Sequence, residues 1–153
     1  FFAEFTAAFA LWKKNQRAFE LAFFWGFAAS IQALITPDIS SHAIFDIEFN
    51  IFFISHGLII LNVIWLLSVD KMKIRSNSLK ETFIITNLLL LPIGLIDWLT
   101  NSNYMYLRAK PPVNNPFLIG DWPYYILGFE FLAFTFFYIL FLIMKLFGKI
   151  EKV

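Results

Sequence analysis

The sequence predicts an all-α fold, a polytopic transmembrane helix bundle with about five membrane segments in this chain and at least one more upstream. Three observations predict it. First, 59% of the 153 residues are hydrophobic and only 15% are charged, with 21 Phe and a mean hydropathy of +0.70. Soluble domains are nearer ~45–50% apolar, so lipid has to serve as the outer solvent. Second, the apolar runs are nearly continuous, as in Ile84–Ile96 and Phe131–Met144. Strands of a membrane barrel alternate apolar and polar residues, whereas a helix satisfies every backbone group within its own segment. Third, the cations cluster in alternate loops.

Segment A, Phe1–Trp12, is too short to cross a bilayer and reads as the last part of a helix that begins upstream. A signal peptide is the rival reading, but the segment lacks a basic start and an A-x-A-like end. A basic loop, Lys13-Lys14-Asn15-Gln16-Arg17, ends it. Segment B, about 18–36, stops at Pro37, which cannot easily continue a helix. Segment C, about 43–69, is long enough to cross with some tilt. A second basic loop, 70–80, carries Lys71, Lys73, Arg75 and Lys80. Segment D, about 81–99, contains Pro92 and Gly94, where a kink is expected. The polar outer loop 100–121 includes Pro111, Pro112 and Pro116. Segment E, about 122–147, precedes the tail. With no repeat and no linker, the chain reads as a single bundle over 1–153.

If segments A to E cross alternately, ten of the twelve Lys and Arg fall on one side. The positive-inside rule puts loops 13–17 and 70–80 and the C-terminus in the cytoplasm. Arg108 and Lys110 are the two exceptions. A net charge of +1 argues against nucleic acid as a partner. The absence of Cys removes disulfides, thiolate metal sites and a cysteine nucleophile. With only His42 and His56 besides, neither a zinc site nor any other cofactor is expected. No phosphate-cradling glycine loop, HExxH or G-x-S-x-G string occurs. Membrane lipids, and other membrane subunits, are the expected partners.

Polar residues at membrane depth need a partner or a job. His56 lies about thirteen residues from either end of segment C, so at mid-bilayer. It either bridges two helices or serves as a general base. Glu48, Ser55 and Asn62 recur every seven residues and share one stripe. Asp46 and Asn50 form another edge near the outer mouth. Glu4 lies roughly 12 Å from the cytoplasmic end of segment A, with Thr6 half a turn away. Glu4 and His56 meet only if A and C are neighbours. Asn87 and Asp97 in segment D and Glu130 in segment E complete the set. Glu130 is about eight residues from the outer interface at Trp122. Tyr104, Tyr106, Trp122, Tyr124 and Tyr125 form an aromatic belt. Tyr104, with Arg108 and Lys110 of the same loop, is a candidate for holding a lipid headgroup, since an Arg fork matches phosphate oxygens; interfacial anchoring is the plainer role.

The strings Phe19-Glu20-Leu21-Ala22-Phe23-Phe24-Trp25-Gly26, Gln32 to Asp38, Phe52 to Gly57, Asn103-Tyr104-Met105-Tyr106-Leu107-Arg108-Ala109-Lys110-Pro111 and Gly120 to Pro123 resemble the YwaF-like family of integral membrane proteins. The resemblance covers nearly the whole chain, in order. It implies a multi-pass protein of the bacterial cytoplasmic membrane with at least one further helix before segment A. A distant animal branch is proposed to be a lipid acyltransferase with a membrane-embedded Cys nucleophile and a His. His56 matches that histidine, while Ala3 stands where the Cys would be. Without a thiol the acyl-cysteine route is closed here, leaving Thr6 as a conceivable replacement.

Two principal functions follow as expectations. One is a non-catalytic subunit or scaffold of a membrane complex, favoured by Ala3. The other is an intramembrane lipid acyltransferase or hydrolase, with His56 as base, Glu4 or Asn62 orienting it, and Thr6 as nucleophile. A small solute or ion carrier lined by Glu4, Glu48 and Glu130 is a third, without an inverted repeat to support it.

Overall fold

The computed structural model describes residues 2–35, 37, 46–110 and 120–151. Among these the chain is helical almost throughout. Helix α1 (Phe2–Lys13) is followed by α2 (Gln16–Trp25), a π-helical turn (Gly26–Ser30) and α3 (Ile31–Ile35). Then come α4 (Ile47–Ser68), α5 (Ser78–Thr100) and α6 (Tyr124–Leu146). Two short strands, β1 (Ile74–Arg75) and β2 (Ile150–Glu151), pair in parallel, with Ile74 opposite Ile150. Among the described residues, four helical stretches are long and apolar enough to cross a membrane: Gln16–Ile35, Ile47–Ser68, Ser78–Thr100 and Tyr124–Leu146. At 12 residues α1 rises only about 18 Å, short of a ~30 Å hydrocarbon core. The expected segments are thus present as helices, and α5 continues through Pro92 to its end. Thr36, Asp38, His42, the expected start of segment C at Ala43 and residues 111–119 of the outer loop lie outside the described residues.

Contacts divide the chain into two compact units. The first comprises Phe1–Ser78 with Leu140–Val153, the second Leu79–Ile139. In the first, α1 packs on α2 and α4, and the run from α2 through the π turn to α3 packs on α4. A two-residue connection makes the first of these contacts. Lys14 takes a left-handed backbone (φ 51), and the Asn15 side chain caps α2 by accepting from Ala18 N at 2.9 Å. Ala7 and Ala10 are fully buried on α1, and such small residues let helix backbones approach closely. The core also holds Phe19, Phe23 and Phe24 of α2 and Ile59, Val63 and Leu66, the i, i+4, i+7 face of α4. Gly26 opens the π turn, which packs on α4. A Cβ there would lie 2.9 Å from Ile59 Cγ2.

In the second unit α5 and α6 run antiparallel. Phe83 meets Phe134 with ring centroids 5.3 Å apart, and one turn on Asn87 meets Glu130, one turn back. Most large apolar side chains on α4, α5 and α6 point outward, among them Leu61, Leu91 and Phe131. Outward apolar faces of this kind suit helices whose solvent is hydrocarbon.

Candidate functional site

The polar groups expected on segment C separate on the folded helix. His56 is the tenth residue of α4, near its middle. At 3.6 residues per turn, Ser55 and Asn62 border the buried Ile59–Val63–Leu66 face on one side, and His56 borders it on the other. The His56 ring nitrogen Nδ1 lies 2.7 Å from Phe52 O. A carbonyl can only accept, so Nδ1 carries the hydrogen and Nε2 the lone pair. The ring also packs on Phe52, with centroids 4.4 Å apart. Ser55 Oγ donates to Phe52 O at 3.1 Å and reaches His56 Nδ1 only at 3.5 Å. Asn62 is half-buried and makes no side-chain hydrogen bond to any described residue. Glu48 is exposed in the first turn of α4, where a negative charge suits the helix dipole. Asn50 Nδ2 donates to Asp46 O at 2.9 Å, tying the start of the helix.

α1 and α4 are neighbours, as a Glu4–His56 meeting requires. The hydrogen bonds of His56 nonetheless stay within α4. The Thr6 hydroxyl is turned onto its own helix, 2.8 Å from Phe2 O and 3.1 Å from Ala3 O. His56, Glu4 and Thr6 therefore share two packed helices without forming a hydrogen-bonded relay.

The most elaborate polar cluster of the first unit was not among the expected site residues. Glu20 is 2% exposed and meets Arg75, fifty-five positions further along the chain. Arg75 donates through Nη2 at 2.6 Å, through Nε to both carboxylate oxygens at 3.1 Å, and through its own backbone N–H at 2.7 Å. Gln16 Nε2 adds a bond to Glu20 Oε1 at 2.8 Å and another to Lys73 O at 2.7 Å. Lys14 pairs with Asp70 nearby. The β1–β2 pairing brings the C-terminal tail to the same place, with Ile74 N donating to Lys149 O at 3.0 Å. The three cation-rich segments thus converge at one end of this unit. In the sequence Glu20 was an ordinary residue of an apolar helix. The available signal was an acid in an apolar run one turn after Gln16, which requires a partner.

In the second unit Asn87 and Glu130 find each other. Asn87 Nδ2 donates to Glu130 Oε2 at 2.9 Å and to Phe83 O at 3.1 Å. The antiparallel register sets Glu130 level with the tenth of the 23 residues of α5. It is therefore deeper along α5 than its distance from Trp122 suggests.

The outer loop closes into a knot over the end of α5. Asp97 is fully buried, and its Oδ1 accepts from Ser102 Oγ at 2.9 Å and Tyr104 N at 2.8 Å. Asn103 Oδ1 accepts from the backbones of Arg108 and Ala109, both at 3.0 Å, while its Nδ2 donates to Ala109 O at 2.9 Å. Arg108 turns Nη1 inward onto Asn101 Oδ1 at 2.7 Å and onto Asp97 O and Ser102 O, both at 3.2 Å. Arg108 is thus a cation on the C-terminal carbonyls of α5, a favourable dipole position. Met105 and Tyr106 take left-handed backbones (φ 54 and 55). The Tyr125 hydroxyl donates to Tyr106 O at 2.6 Å and Trp122 Nε1 to Leu107 O at 2.9 Å, holding that strain in place. Lys110 lies 5.8 Å over the Tyr125 ring, and the Tyr104 side chain is exposed.

Four long apolar helices among the described residues, with most of their polar groups bonded within their own helix, to a loop or, for Asn87 and Glu130, to each other, define a multi-pass helical membrane protein. The chain belongs to the TMEM164 family, whose family model matches residues 2–141. No curated protein and no solved structure matches it.

Proposed function

We propose that the chain is a YwaF-like member of this family and acts as a non-catalytic subunit or scaffold of a membrane complex. The basic end of the first unit then faces the cytoplasm, under the positive-inside rule, in a bacterial inner membrane. Asn62 carries the reading. It sits within apolar α4, and its amide has no hydrogen-bond partner among the described residues. An amide in hydrocarbon is satisfied by a polar group on another helix, and a partner subunit supplies one. The Thr6 and Ser55 hydroxyls, both spent on their own helices, and Ala3 at the family's Cys position support the same reading. Mild-detergent purification of the full chain from native membranes tests it. A stable complex that Asn62→Leu weakens is the expected result. A lone, monodisperse monomer overturns it.

One observation favours a second reading, an intramembrane lipid acyltransferase or hydrolase. The Phe52 carbonyl fixes the His56 tautomer and leaves Nε2 as a base at mid-helix. Purified protein with fluorescent phospholipid would then transfer or hydrolyse an acyl chain, and His56→Ala would abolish it. Undiminished activity in that variant removes His56 from the chemistry.

A further inference from the structure

The cation-rich end of the first unit holds more positive charge than its own acids can balance. Asp70 is paired with Lys14, and Glu20 is sealed beneath Arg75. Lys13, Arg17, Lys71, Lys73 and Lys145 remain exposed, with only Glu151 as an exposed acid on the paired strands. The strand pairing then sets two of these lysines at neighbouring backbone positions. Because Ile74 N–H bonds Lys149 O, Lys73 and Lys149 occupy neighbouring positions at the mouth of the strand pair. Lys149 Nζ leans on Leu67 O at 3.4 Å, so it is held at the end of α4. Two lysines at neighbouring strand positions raise the local positive potential, which an anion bound beside them would offset.

The position of these cations selects the anion. Lys13 ends α1, Arg17 opens α2, and Lys71 and Lys149 lie just past the ends of α4 and α6. Each stands where an apolar helix meets the headgroup layer. We infer that this end of the first unit binds the phosphate of an acidic phospholipid, with Lys73 and Lys149 as its nearest pair and Arg17 and Lys71 flanking. Basic residues beside membrane helices attract anionic lipid by about 1 kcal/mol each near the surface. Two of them correspond to roughly a thirtyfold preference over a zwitterionic lipid.

Native mass spectrometry of the full chain in detergent tests the assignment, with phosphatidylglycerol or phosphatidylcholine added in separate arms and inorganic phosphate in a third. The chain should retain phosphatidylglycerol at least tenfold better than phosphatidylcholine. Lys73→Gln with Lys149→Gln should erase the difference, and Lys73→Arg with Lys149→Arg should keep it. Because Lys149 also touches Leu67 O, Lys71→Gln with Lys73→Gln provides a second variant on exposed side chains alone, expected to cut the preference several-fold. Equal retention of both lipids overturns the proposal, as does wild-type retention in both glutamine pairs. Displacement of the lipid by inorganic phosphate at matched concentration would make this a free-anion site and overturn the lipid assignment.

Discussion

Arg75→Ala is expected to destabilise the protein more than any other single surface-loop substitution. The reason lies in what it leaves behind. Glu20 is 2% exposed and receives three side-chain contacts from Arg75 at 2.6–3.1 Å. Without the guanidinium, the carboxylate keeps only the Arg75 backbone N–H and the Gln16 amide. A buried charge stripped of its partner costs about 3–5 kcal/mol. In a chain of this size that corresponds to a fall in apparent melting temperature of roughly 6–20 °C. Glu20→Leu alone should cost less, because the Arg75 side chain is 21% exposed and can turn to water. Glu20→Leu with Arg75→Leu should recover most of the loss, since apolar replacement of a buried pair is often neutral or better. The assay is a double-mutant cycle of Glu20→Leu and Arg75→Leu, with Arg75→Ala measured alongside, on detergent-solubilised protein, read as the monodisperse fraction surviving a temperature ramp. Additive losses from the two single variants would refute the reasoning, because they would show that the side chains do not depend on each other.

The other expectations concern packing and the second unit. Gly26→Val should lower stability by about 1–3 kcal/mol, because its side chain meets Ile59 where even a Cβ lies at 2.9 Å; the same thermal ramp measures it, and Ile59→Ala should relieve part of the loss. Asn87→Leu should destabilise by about 1–3 kcal/mol through the Glu130 carboxyl it leaves without its amide, and Asn87→Leu with Glu130→Leu should restore stability. Tyr125→Phe should cost about 1 kcal/mol and loosen the strained turn at Met105 and Tyr106, which limited proteolysis of the outer loop would register.

Composition and run length were enough to specify helices in lipid, because that inference needs only the cost of exposing apolar surface to water and of leaving backbone groups unpaired in hydrocarbon. The alternation of Lys and Arg likewise anticipated that residues 13–17, 70–80 and the tail would share one end, and Lys14–Asp70 and Ile74–Ile150 now join them. Seven-residue spacing put Ser55 on one stripe with Asn62, but it could not tell which flank of the buried face of α4 that stripe and His56 would take. That depended on which face α1 and the π turn cover, a matter of three-dimensional packing. Arg108 looked like a free fork for phosphate because its three acceptors, Asp97 O, Asn101 Oδ1 and Ser102 O, come into reach only when the outer loop folds back over α5. Glu20 and Arg75, and Asn87 and Glu130, are separated by 55 and 43 positions. Charge and hydropathy marked Glu130 as needing a partner, because hydrocarbon cannot solvate it, and the same argument applies to Glu20, which the sequence reading passed over. Only tertiary structure could name that partner, because pairs so distant in the chain are chosen by which helices and loops meet.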